Sequence, residues 1–295
     1  MEKTVGKNGT SLWLKKHGLN TVLVAPLMIF VFSFTIVPIF QTILLSFKDQ
    51  ITSEWTLRNY AYVFGRSFFS EAVINTLFVS AIGLLIQMVI GYLLASMLRK
   101  NFVGKGLART LVMLPMGIPT MVSGVAMLYL FGMSGYLNEI LYRLNVTPIP
   151  IDWTAHRLRS LFVVAVADSW KVMPMVVMLF LSGLESIPLE LYEAADVDGA
   201  GKFDCFRYIT IPQLKATVTM TVLTRLVDLL RIFELPKVLL GGTTPFLATM
   251  SYEEYSYGNN AYSAVASTVL LALILVIVMA YMFAFEREKK GGGRR

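Results

Sequence analysis

Six charged side chains and a tryptophan fall where the chain is otherwise apolar enough to lie in lipid. Asp168 and Lys171 stand three residues apart in one such stretch, with Trp170 between them. Arg225, Asp228, Arg231 and Glu234 recur every three residues in another. A spacing of three drifts slowly around a helix, so these four are predicted to form one slanted stripe of alternating sign. A charge at the centre of a membrane helix costs about 2.5–3.5 kcal/mol on insertion scales. The stripe therefore faces the bundle interior, a partner or a wet cavity. Two chemistries fit it. Asp168, Trp170, Asp228, Arg231 and Glu234 offer donors, acceptors and an aromatic face to a polar solute in passage. The same alternating charges also suit a structural ion-pair network. Lys171 and Lys237 are expected near helix ends, reaching outward to the interface. Gln87, alone in an apolar stretch, needs a partner, and a bond to another helix is expected.

Other chemistries find little support. Cys205 is the single cysteine, so no intrachain disulfide forms, and with two histidines it makes no credible metal site. No nucleophile–base pair stands out, so no catalytic residue is expected. Lys202 follows Gly201, but the residues before them do not form the phosphate-cradling Gly-x-x-x-x-Gly-Lys-Ser/Thr loop.

The elements that must position these residues are membrane helices. Of 295 residues 56% are hydrophobic and 15% charged, and mean hydropathy is +0.64. Soluble domains carry about 25% charged residues. An all-α membrane protein of about six transmembrane helices is predicted, at roughly 19–47, 73–98, 110–131, 161–184, 217–240 and 263–285. The first run is far too long for a cleaved signal peptide. The organisation expected is an N-terminal tail (1–18), a membrane domain (19–285) with a long loop at 185–215, and a C-terminal tail (286–295). Sixteen Lys and Arg flank one side of these helices and six the other, which places both tails and the 185–215 loop in the cytoplasm. The net charge of +7 thus belongs to the lipid bilayer's surfaces and gives no sign of nucleic-acid binding.

The loop is more than a connector. Ser186 is placed to cap a helix, Pro188 suits its first turn, and Glu190 and Glu193 suit its positive end. Asp198-Gly199-Ala200-Gly201 breaks that helix. A second short helix is predicted from Lys202 to Tyr208, with Phe203 and Phe206 stacked and Pro212 ending the unit. Small residues at 194, 195 and 199 permit close approach by another protein. Glu193 and Asp198 offer partners to its basic side chains. Packing beneath its own helices is the other reading of this block.

Glu193-Ala194-Ala195, Asp198-Gly199-Ala200-Gly201 and Ile209-Thr210-Ile211-Pro212 resemble the EAA signature of permease subunits in binding-protein-dependent ABC importers. Trp170-Lys171 with Pro174, Gly183-Leu184 with Ile187-Pro188, and Phe233-Glu234 before Gly241-Gly242 resemble the carbohydrate-uptake, maltose-type branch, although the glycine run is shorter than usual there. The resemblance implies that Glu193, Ala194, Ala195, Asp198, Gly199 and Gly201 dock into a cleft on a cytoplasmic ATPase. It implies a second permease subunit in a heterodimer, two ATPase subunits that bind ATP and Mg, and an external solute-binding protein. It further implies a sugar or polyol substrate, alternating access, and a place in a bacterial or archaeal inner membrane. This chain itself would hold no cofactor and would not be an enzyme. A self-contained secondary transporter would show internal repeats, and none is convincing here.

Overall fold

The computed structural model describes residues 22–291, with side chains through Ala284. The expected tail 1–18 and the last residues of the C-terminal tail lie outside the described residues. Among those described the fold is all-α, with one isolated antiparallel bridge between Lys48 and Trp55. Five helical segments are long and apolar enough to cross a bilayer: α1 (Val22–Ser46), α3 (Ser67–Arg99), Thr120–Arg143, which is interrupted at 132–135, α7 (Arg157–Glu185) and Asn260–Ala284 of the last helix. Between the first two lies the short α2 (Arg58–Phe64).

α7 is the centre of the bundle. Leu161, Val163, Val164, Ala165 and Ala167 are all buried, so apolar residues point in every direction and the helix must be surrounded. Its long partner is α3. Small residues set the approach of its neighbours: a Cβ on Gly183 would lie 2.5 Å from Thr217 Oγ1 and 2.9 Å from Leu214 Cδ2. Glycine there lets the long helix that follows the loop, α10 (Ile211–Leu230), lie directly on α7.

The third predicted span starts earlier than expected and is interrupted. α4 (Lys105–Met113) gives way to a tight 3₁₀ turn at Leu114–Gly117 and extended residues Ile118 and Pro119 before α5 (Thr120–Phe131) begins. Pro115 and Pro119 lack the N–H groups that a continuous helix would use. The short α6 (Tyr136–Arg143) follows.

The loop contains α8 (Leu189–Val197) and a single turn, α9 (Lys202–Asp204). Two expectations fail here. Ser186 closes α7 rather than capping α8, its Oγ donating to Gly183 O at 2.8 Å. Pro212 does not end a separate helix: a π turn at Cys205–Thr210 carries α9 straight into α10. The Ile211 N–H reaches back five residues to Phe206 O, and this wider turn absorbs the proline. Phe203 stays exposed while Phe206 turns inward to the Tyr92 ring, 5.5 Å away, so the two do not stack.

The predicted helix 217–240 is also corrected. α10 stops at Leu230, and α11 (Glu234–Leu240) starts in a new direction after a break at Arg231–Phe233. Pro236 has no N–H for the bond to Ile232 O that a straight helix requires, but in the first turn of α11 it costs nothing. The bend drops Ile232, Leu235, Leu239 and Leu240 into a core with Leu161, Val164 and Phe246. α12 (Leu247–Ser256), which the sequence reading left in a connection, and α13 (Asn260–Gly291) complete the chain.

Candidate functional site

Three helices bring the charged residues together at the centre of the bundle. Arg225 on α10 is the hub. Its Nη2 lies 3.1 Å from Asp168 Oδ2 on α7, its Nη1 2.9 Å from Asp228 Oδ2, and its Nε donates to Gln87 Oε1 on α3 at 3.0 Å. Gln87 closes the ring, its Nε2 donating to Asp168 Oδ2 at 2.9 Å. Gln87 therefore bonds between helices as expected, and it does so at the heart of the network. Arg231 adds an outer contact, with Nη2 2.6 Å from Asp228 Oδ1.

Exposure is graded along this chain of charges. Arg225 is 4% exposed, Asp168 13%, Asp228 32% and Arg231 64%. The inner pair is largely removed from water, with Gln87 bonding both members, and it ties α3, α7 and α10 together. The outer pair keeps hydrogen-bonding capacity at the surface of the chain. The formal charges of the two carboxylates and two guanidinium groups in the network cancel.

The expected four-residue stripe is thus cut to three. The break after Leu230 moves Glu234 to the first turn of α11, where it is exposed and outside the network. Trp170 also stands apart from Asp168, two positions on and so on another side of α7. It lines a recess of about 690 Å³ with Tyr129, Phe131, Met127, Tyr136 and Val166. That recess offers aromatic faces and little hydrogen bonding.

Two lysines are placed differently from expectation. Lys171 lies midway along α7, not near an end, and its Nζ donates to Pro115 O at 3.1 Å and Met116 O at 3.4 Å. Lys237 pairs with Glu253 Oε1 on α12 at 2.8 Å instead of reaching outward. Neither partner was readable from local spacing, because each comes from a distant segment.

The loop residues present a second surface. Glu193, Ala194, Asp198, Gly199 and Gly201 are exposed and Ala195 is half-buried. Gly199 has φ +77°, a left-handed conformation that side chains disfavour, with open space around its Cα. The block is held from behind. Tyr192 OH bonds Thr210 Oγ1 at 2.9 Å, and the Arg99 guanidinium covers the Tyr192 ring at 4.9 Å. Ile187, Tyr192 and Ile209 pack with Leu98, Leu184 and Leu214. On the opposite side Val197 is 88% exposed and Phe203 71%, leaving apolar side chains uncovered beside the acidic ones.

Residues 87–291 match the family described as "Binding-protein-dependent transport system inner membrane component", and the chain belongs to it. It is 30% identical over 283 residues to the trehalose/maltose transport system permease protein MalF of Thermococcus litoralis, covering 92% of this chain and 95% of that one. It is also 30% identical to the trehalose transport system permease protein SugA of Mycobacterium tuberculosis, with 95% and 92% covered. Its fold superimposes on a chain of a bacterial ABC transporter involved in import of the acidic polysaccharide alginate, with a TM-score of 0.81 at 23% identity over 94% of this chain and 99% of that one. The chain is thus a permease component of a binding-protein-dependent ABC importer, as the loop motif implied.

Proposed function

We propose that this chain is one half of the translocation pathway of a sugar or polyol importer, working with a second, different permease subunit. The observation that carries the solute class is the charge-neutral network whose outer members, Asp228 and Arg231, remain accessible, on a chain that also carries an aromatic recess at Trp170. A carboxylate and a guanidinium side by side accept from and donate to hydroxyls, and aromatic faces suit the apolar faces of sugar rings. A solute of high charge would meet an unbalanced partner here. The trehalose and maltose specificities of the relatives agree with this reading.

In this reading α10 is the sixth crossing, its Arg225 and Asp228 turned from lipid. Both tails and the 185–215 loop lie in the cytoplasm. Glu193, Ala194, Ala195, Asp198, Gly199 and Gly201, flanked by Val197 and Phe203, dock on one of two ATPase subunits that hold ATP and Mg. Hydrolysis there rocks the paired permeases between inward- and outward-facing states. The solute arrives on an external binding protein. The chain itself has no catalytic step.

The test is uptake of labelled trehalose and maltose into proteoliposomes holding the complete complex and its binding protein, compared with the chain alone. ATP-dependent uptake by the complex and none by the chain is expected. Gradient-driven accumulation by the chain alone would refute the assignment. Uptake of a charged solute with neither disaccharide transported would refute the solute class.

A further inference from the structure

α12 carries two adjacent carboxylates, Glu253 and Glu254, that meet different neighbours. Glu254 is buried and both its oxygens are engaged: Oε1 pairs with Arg66 Nη1, just before α3, and Oε2 accepts from Asn259 Nδ2 at 2.8 Å. The Tyr62 ring, 5.8 Å away, steadies the same guanidinium. Glu253 Oε1 accepts from Lys237 Nζ on α11 at 2.8 Å. Among the described residues no hydrogen bond reaches Glu253 Oε2, and none is donated by Arg66 Nε or Nη2.

Arg66, Glu253 and Glu254 line a recess of about 690 Å³, separate from the one at Trp170. Ser67 adds a hydroxyl to its wall, and Tyr257, 79% exposed, adds an uncovered ring. Gly242 keeps the carboxylate bare, since a Cβ there would lie 2.9 Å from Glu253 Oε1. From Arg66, α3 runs 33 residues, about 50 Å, to Arg99, which donates to Tyr192 in the loop. The recess is thus at the far end of the helix from the loop.

The chemistry selects a class of ligand. The formal charges of Arg66, Lys237, Glu253 and Glu254 cancel. Their pairing holds them in place, so little ordering is left to a ligand. The unused carboxylate oxygen accepts from hydroxyls and the unused guanidinium N–H groups donate to them. The Tyr257 ring suits the apolar face of a sugar. We propose that this recess is an outer binding site for an uncharged sugar or polyol, distinct from the Asp228–Arg231 edge. It rests on the solute class and orientation given under the proposed function.

The test uses the complete transporter in detergent, without its binding protein, and diazirine derivatives of maltose and trehalose. Label located by mass spectrometry should fall in peptides containing Arg66 or Glu253 and Tyr257. Unlabelled disaccharide should displace it, and maltobionate, which carries a carboxylate, should compete more weakly. In Tyr257→Ala, which removes an exposed ring, the disaccharide concentration that halves labelling should rise about fivefold. In Glu253→Gln it should rise about tenfold, through loss of a charged acceptor. Asp228→Asn should leave this labelling unchanged. Absence of label from these peptides, equal competition by maltobionate, unchanged labelling in both Y257A and E253Q, or loss of labelling in D228N would overturn the outer site. Disaccharide uptake without label at the recess would overturn the outer site alone; uptake of a charged solute and of neither disaccharide would overturn the solute class with it.

Discussion

Asp168 and Arg225, 57 residues apart in the chain, meet at 3.1 Å between two helices, and Gln87 from a third helix bonds both. The pair lies inward of the more accessible Asp228–Arg231 edge.

Removing the guanidinium should therefore be severe. Arg225→Met leaves the Asp168 carboxylate buried and unpaired, at a cost of about 3–5 kcal/mol. Complex yield and melting temperature in detergent should fall. Adding Asp168→Asn to Arg225→Met should restore part of both, since the neutral pair no longer buries a lone charge. A double variant as unstable as the single one would show that the contact is incidental.

Asp228→Asn should behave otherwise. Asp228 is 32% exposed and keeps Arg225 within hydrogen-bond reach even as an amide. The folded complex should persist while the solute concentration for half-maximal uptake changes by about threefold or more, in line with loss of one hydrogen bond to a hydroxyl. Unchanged uptake kinetics would remove Asp228 from the solute path.

The corner at Gly199 makes a sharper distinction between backbone and bulk. Its Cα is surrounded by open space, so only φ penalises a side chain. Asparagine tolerates the left-handed region and valine does not, at about 1–2 kcal/mol. Gly199→Asn should keep more ATP-driven uptake than Gly199→Val, and Gly199→Asp should lose it through charge at the docking surface. Equal uptake by all three would mean that the corner touches no partner.

At Gly183 the limit is space. An added methyl collides with Thr217 and Leu214, so Gly183→Ala should destabilise the chain by about 1–3 kcal/mol. Thr217→Ala removes the nearest atoms and should recover part of that loss in thermal melting. Failure of Thr217→Ala to help would mean that α7 and α10 separate freely.

Outside the membrane, Asp152 organises the turn before α7. The Thr154 N–H first, then the Thr154 hydroxyl and the Ala155 N–H, hold its carboxylate below the ordinary value of 3.8. A lowered carboxylate stabilises the folded turn at every pH above 3.8, and that contribution fades as pH falls below it. Protection of the Thr154 and Ala155 amides from hydrogen exchange, taken relative to the intrinsic rate at each pH, should be constant from neutral pH down to that point and fall only below it. Asp152→Asn should abolish that pH dependence of the protection. Loss of protection that begins at neutral pH would argue against this account.

Composition and segment length alone determined that this is a helical membrane protein, because a bilayer imposes a long apolar run on each crossing. The loop signature at 193–201 is contiguous in the chain, so the helix break there was legible too, and the structure places the positive φ at Gly199. Pro115, Pro119 and Pro236 marked the two helix breaks in plain letters, yet apolar patterning ran through them and hid the consequence. The tertiary structure alone decided which neighbours the charges meet. That Asp168 lies against Arg225, that Glu234 leaves the stripe, and that Lys171 reaches Pro115 and Met116 all depended on segments distant in sequence. Spacing along one helix assigns a side chain to a face; only packing says which neighbour that face meets.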